Sequence, residues 1–329
     1  MKSGLEIVCL LNPLRTRGPL RVEAIVCKKY HEMILSVVVS SNLRFKATFS
    51  REFLSNHKDN TNMSRIRSDS LSGYVESLQA RGVYTFTKDQ AAESISGTPS
   101  AIKLALNRLA AKKRIVRIRR DFYTIVPIEY AAKGILPPDW FIDQLMEFLG
   151  KPYYVGLLSA AAAYGSSIQQ PQEYQVIVPD FMRPINTRNL RIRFFKRSRM
   201  AGSPTRKVKS ATGYIKVSDP AVTAIDLVGY ARQIGGYEIV IPPINELCKM
   251  LNPDMLIDAA KREPNLAFIQ RLGHILDWLG EHNLSGRLAS WLSTKEPAWI
   301  ALDPSNKKSG SDRDSKWHVI VNTQLHNEP

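Results

Sequence analysis

The alternation of apolar and polar positions becomes regular only from residue 68 onward. Ser70–Ala80 has helical spacing and stops at Gly82, and "VYTFT" is a short β-prone run. Thr87-Lys88-Asp89-Gln90 has the form of a capping box, a hydroxyl at the cap and Gln three residues on, so a second helix is expected to about Ile95. Thr98-Pro99 opens a third, because the missing N–H of proline is harmless at the first helical position. Its apolar residues Ile102, Ala105, Leu106 and Leu109 recur every three to four positions and share a face, with Ser100, Lys103, Asn107 and Ala111 opposite. "RIVRIRRDFYTIVP" then alternates as two strands around Arg119-Arg120-Asp121, where Asp tolerates the left-handed backbone of a tight turn.

Pro127–Pro138 reads as a linker, and "DWFIDQLMEFLG" as an amphipathic helix with Trp140, Phe141, Leu145 and Phe148 in the core. "KPYYVGLLSAAAAYGSS" starts as a strand and continues as a small-residue helix; "EYQVIVP" and "LRIRFF" read as strands, and "VSDPAVTAIDLVGYA" as a turn into a helix. Helices resume from Ile244 to about Leu292, and "WHVIVN" makes a late strand. The expected fold class is therefore α+β. A winged helix-turn-helix is expected at 63–128, a linker and helix at 129–150, and a mixed α/β domain at 151–329. Residues 1–62 hold two strand-like apolar runs but no repeated turn pattern, and "MSRIRSDSLSG" from Met63 looks like a protein start. That first segment is expected to be a non-native or atypical extension.

Charge changes this picture. Lys and Arg total 46 against 30 acids, a net charge of +16, which favours nucleic acid or an anionic membrane surface as partner. Between Thr98 and Arg120 there are eight cations and no acid. On the exposed face of the third helix, Ser100, Lys103 and Asn107 could reach base edges in a major groove, flanked by Arg108 and Lys112. Arg117, Arg119 and Arg120 on the hairpin are expected to meet phosphates. A second tract, from Phe181 to Ser218, has eleven cations and no acid. Within it Arg188, Arg191, Arg193, Lys196, Arg197 and Arg199 form a candidate patch; a solvated face and an anion-binding face both fit it, whether the anion is DNA, RNA or an acidic protein.

Signals for catalysis are weak. The chain has no GxxxxGK[ST], GxGxxG, HExxH or GxSxG, and Cys9, Cys27 and Cys248 have no metal spacing. The scattered cysteines point to a reducing cytosol without disulfides, and no apolar run reaches the ~20 residues of a membrane span. Ser100 to Lys103 fits SxxK without a companion motif. Gly165-Ser166 followed by a strand and Asp180 resembles the start of a nucleotidyltransferase site, but positions 178 and 182 are Val and Met, so the paired carboxylates needed for Mg²⁺ are missing. No catalytic residue, metal or cofactor is expected.

Five segments in order resemble the AbiEi antitoxins of type IV toxin–antitoxin and phage abortive-infection systems: "LNRLAAKKRIVRIRRDFYTI", "YYVGLLSAAAAYG", "VSDPAVTAIDLVGY" with Asp226-Leu227, "FIQRLGHILDWLG", and "WIALDPSNKKSGSDRDSKWHVIVN". The resemblance runs from about Ser70 to Asn322; it departs at Asp121, where the family generally has Gly. It implies a winged helix-turn-helix that represses its own operon by binding inverted repeats in the promoter DNA. It also implies a C-terminal domain that counters a neighbouring nucleotidyltransferase toxin, without a stable complex, in the cytoplasm. A stand-alone transcriptional regulator and a nucleotidyltransferase-like enzyme remain the alternatives.

Overall fold

The computed structural model describes Ser68, residues 70–166, 171–200, 202–307 and 311–326, and three strand segments nearer the N-terminus. The chain divides into two units, Met1–Arg65 and Ile66–Pro329. In the first, β1 (Arg21–Val26) pairs antiparallel with β2 (Met33–Val38), and β2 with β3 (Lys46–Ala47). The start at Met63, Cys9 and Cys27 lie outside the described residues.

The second unit opens with α1 (Leu71–Ala80), β4 (Thr85–Thr87), α2 (Lys88–Ser94), α3 (Pro99–Ala111), β5 (Ile115–Arg119) and β6 (Phe122–Ile125). Local chemistry sets these boundaries. Ser70 and Thr98 each accept a backbone N–H three residues on, and the Thr87–Gln90 capping box closes in both directions. Asp121 turns the hairpin with φ 63°. The three strands form an antiparallel sheet in the order β4-β6-β5. Its inner face joins Tyr74, Leu78, Phe86, Ile102, Leu106, Ile115 and Ile125 in one core.

The outer face of the same hairpin enters a different core. Val116, Ile118, Phe122 and Val126 pack with Ile135, Leu136, Phe141, Ile142, Leu145 and Met146, of which the last four are within or next to α4 (Ile142–Phe148). The expected linker is thus packed: Ile135 and Leu136 are buried. Phe148, expected in the core, is 41% exposed and only tilts against Phe122. Trp140 is half-buried, edge-on to Tyr84 and Tyr130.

Beyond α4 lies a six-stranded mixed sheet, in the order β11-β12-β7-β8-β10-β9. Its strands are β7 (Tyr154–Val155), β8 (Tyr174–Val178), β9 (Ile185–Thr187), β10 (Leu190–Lys196), β11 (Thr205–Ser210) and β12 (Gly213–Ser218). One face shares the core with α4; the other carries α5 (Leu157–Ala163) and α6 (Pro220–Ile234), the latter capped by Asp219. Then follow α7 (Tyr237–Cys248), α8 (Pro253–Arg262), α9 (Leu266–Trp278) and α10 (His282–Leu292). α7 begins earlier than the expected Ile244 and holds Pro242 and Pro243 inside it, where each removes one hydrogen bond to the carbonyl four residues back. A small sheet of β13 (Ile300–Ala301), β14 (Asp312–Asp314) and β15 (Val319–Val321) closes the unit. The whole is mixed α+β. Among the described residues no helix is long and apolar enough to cross a membrane.

Candidate nucleic-acid interface and buried ion-pair centre

On α3 the apolar residues Ile102, Leu106 and Leu109 face inward, and Ser100, Lys103, Asn107, Arg108 and Lys112 are exposed. Arg117 is exposed on β5, and the Arg120 side chain, at the hairpin tip, is 95% exposed. Arg119 departs from the expectation of a free phosphate contact. It is half-buried: its guanidinium donates to the Arg183 carbonyl and lies 5.9 Å from the Phe194 ring centre. Burial, reinforced by the like charge of Arg183, holds its pKa below the ordinary value.

The second tract is not one face. Arg191, Lys196 and Arg199 are exposed; Arg188 is exposed too but is tied to backbone carbonyls, Arg193 is half-buried and Arg197 is buried. Arg188 donates to the Ala110 carbonyl at the C-terminal end of α3 (3.2 Å) and to that of Gly134 (3.1 Å). A cation suits the partial negative charge of a helix C-terminus. Arg193 donates to Glu173 (3.2 Å) and to the Gln233 carbonyl near the end of α6 (2.8 Å), over the Phe195 ring. Side chains that alternate on a strand need not meet water when a second layer covers that face.

Arg197 is the largest correction. Its side chain is only 9% exposed and bridges two buried carboxylates, Asp226 on α6 and Glu263 at the end of α8 (2.6 Å to Glu263). The hydroxyl of Tyr154 accepts from Arg197 (3.1 Å) and donates to Asp226 (2.9 Å). Asp226 is fully buried, and that burial outweighs the attraction of Arg197, lifting its pKa to about 6. Burial also acts to lower the pKa of Arg197, but Asp226, Tyr154 and Glu263 prevail and hold it above its ordinary value. The centre ties β7, the end of β10, α6 and α8 together. Asp226 inside the apolar run "AIDLV" was its one sequence signal, since a buried carboxylate must be paired.

A second cluster pins the closing sheet to α9. Asp277 accepts from the indole of Trp317 (2.6 Å), from Ser285 (2.5 Å) and from Lys316 (2.9 Å). Burial alone would raise its pKa, but these hydrogen bonds draw it down to about 2. Gly273, one turn earlier, leaves the space: a Cβ there would lie 2.1 Å from the Trp317 ring. His274 contacts Asp314 through Nδ1 at 2.6 Å.

The motifs that suggested chemistry stay apart. Ser100 and Lys103 are exposed on α3, and Asp180 pairs with Lys151 at 3.0 Å. Among the described residues no group of three or more His, Cys, Asp or Glu is placed to hold a metal ion.

Residues 154–278 match the family model described as the AbiEi antitoxin C-terminal domain. That span contains Tyr154, Arg197, Asp226, Glu263 and Gly273. The crystal structure of the RV2827C protein from Mycobacterium tuberculosis is similar over 78% of this chain and 92% of that one, with a TM-score of 0.56 and 13% identity, which shows a shared fold. No curated protein matches the chain.

Proposed function

From a chain whose residues 154–278 match the AbiEi antitoxin C-terminal domain we infer a non-catalytic, DNA-binding antitoxin that represses its own operon. In this reading residues 70–126 are a winged helix-turn-helix, with α3 as recognition helix and the β5–β6 hairpin as wing. Ser100, Lys103 and Asn107 reach base edges of inverted repeats in the promoter, and Arg108, Lys112, Arg117 and Arg120 meet phosphates. The C-terminal lobe counters a nucleotidyltransferase toxin encoded nearby, as type IV antitoxins do, without a stable complex. The observation that carries the DNA reading is the α3 face: polar and cationic side chains are exposed along one side, and the opposite side is buried.

Anisotropy titration against the chain's own upstream DNA tests it. Lys103→Ala is expected to weaken the operator more than unrelated DNA, and Arg120→Ala to weaken both and lower the salt slope by about 1. Arg119→Ala is expected to lower that slope less than Arg120→Ala does, because its guanidinium is half-buried and held by the Arg183 carbonyl. Equal losses on operator and unrelated DNA for Lys103→Ala would remove α3 as the reading helix. Co-expression with the neighbouring gene tests the antitoxin role, rescue of growth being the expected result.

A further inference from the structure

A groove of about 750 Å³ runs between the 130–140 segment and strands β8, β10 and β11. Its size falls within the roughly 300–1,000 Å³ of small-molecule sites. Tyr130 and Trp140 supply aromatic surface, and Lys133, Arg191 and Lys209 supply three cations. None of the three has a carboxylate within salt-bridge distance among the described residues. Two acids also line the groove: Glu173, which is paired with Arg193 at 3.2 Å, and Asp139.

Tyr174 gives the groove its chemistry. Its hydroxyl is buried yet has no hydrogen-bond partner among the described residues. Buried polar groups are nearly always paired, so an orphan hydroxyl in a groove wall fits a polar group that a ligand brings. Burial, and secondarily Asp139, keeps that phenol protonated and able to donate. Burial also raises the pKa of Asp139 itself.

We propose that this groove binds a nucleoside phosphate, the base lying among Tyr130, Trp140 and Tyr174 and the phosphate on Lys133, Arg191 and Lys209. The pairing follows from the lining: aromatic faces stack on bases, a tyrosine hydroxyl meets a base edge, and unneutralised cations take the phosphate. A free nucleotide and the terminal nucleotide of a single strand present the same chemistry. The site does not depend on the promoter-binding reading, since none of its residues lies on α3 or the hairpin.

Calorimetric titration of the full chain tests it, with adenosine monophosphate, the other three ribonucleotides, adenosine, inorganic phosphate and a five-nucleotide single-stranded RNA as probes. At least one nucleotide or the RNA is expected to bind saturably, with adenosine and phosphate each weaker by about tenfold or more. Binding of mononucleotides identifies free nucleotide as the source; binding of the RNA alone identifies a strand end. The double substitution Arg191→Ala and Lys209→Ala, both at exposed positions, is expected to weaken binding about tenfold or more. Tyr174→Phe is expected to weaken it while leaving the thermal midpoint of the free protein no lower, because the hydroxyl it removes has no partner. Lys103→Ala with Asn107→Ala, which removes two base contacts in the reading above, is expected to leave nucleotide affinity unchanged. No saturable binding of any nucleotide or the RNA overturns the proposal. So does inorganic phosphate binding as well as the nucleotides, or full affinity in both groove variants.

Discussion

Replacing Arg197 by methionine leaves Asp226 and Glu263 buried with no cation, whereas replacing Asp226 by asparagine leaves one cation and one carboxylate. The two substitutions remove partners from the same contact, yet their costs should differ widely. Losing the guanidinium strands two desolvated carboxylates, and breaking a buried pair in this way costs about 3–5 kcal/mol. Losing the Asp226 charge removes a group whose ionisation the fold resists. A pKa raised from 3.8 to about 6 corresponds to about 3 kcal/mol at pH values above that window. That figure is already net of the attraction to Arg197, so Asp226→Asn should cost well under the loss in Arg197→Met at neutral pH. The sign of the pH dependence follows from the same shift. Between pH 3.8 and about 6 the folded chain holds a proton on Asp226 that the unfolded chain releases, so stability falls as pH rises through the window. Urea unfolding followed by tryptophan fluorescence, repeated from about pH 4 to about pH 7, measures both effects. Over that range the fall with pH should be smaller in Asp226→Asn by about 2 kcal/mol. Equal costs for the two variants, or an unaltered pH slope in Asp226→Asn, would refute the assignment of Asp226 as the titrating member of the centre.

Gly273→Ala should destabilise by about 3 kcal/mol, because the new methyl meets a fully buried Trp317 whose indole is held by Asp277. Gly229→Ala should cost less, since the Phe268 ring that it meets is only partly buried and can swing aside; thermal melts compare the two. At the hairpin tip, Asp121→Gly should stay within about 0.5 kcal/mol of the parent and Asp121→Val should lose about 1–2 kcal/mol, as φ 63° penalises a β-branched side chain. Asp277 works in the opposite pH direction to Asp226: its depressed pKa contributes about 2 kcal/mol that is present above pH 3.8 and lost as pH falls through about 2. Acid titration by circular dichroism should show that limb flattened in Asp277→Asn.

Signals confined to a few neighbouring residues were legible in the sequence. The Thr87–Gln90 box and the Thr98-Pro99 start each depend on a side chain meeting backbone three residues away, and the turn at Asp121 on one residue's tolerance of positive φ. The fates of the arginines were not. Arg119, Arg188, Arg193 and Arg197 occupy alternating or clustered basic patterns that read the same whether the covering layer is water or protein. Their partners lie 64, 78, 40 and 66 residues away, for Arg183, Ala110, Gln233 and Glu263 respectively. Strand β11 has no signal in the sequence, because "TRKVKS" lies at the sheet edge with no fully buried side chain and so lacks the apolar signature of an inner strand. The groove around Tyr174 had no sequence signal, since its walls come from segments between residues 130 and 215.

The β5–β6 hairpin is buried on both faces, by Ile115 and Ile125 on one side and by Val116, Ile118, Phe122 and Val126 on the other. Cutting the chain just after Val126 would strip the second set of its cover and leave a greasy patch on the excised piece. Such a fragment would self-associate, and its apparent grip on DNA would report aggregation as much as recognition. Dissecting repression from toxin control in this molecule therefore calls for point substitutions on the intact chain.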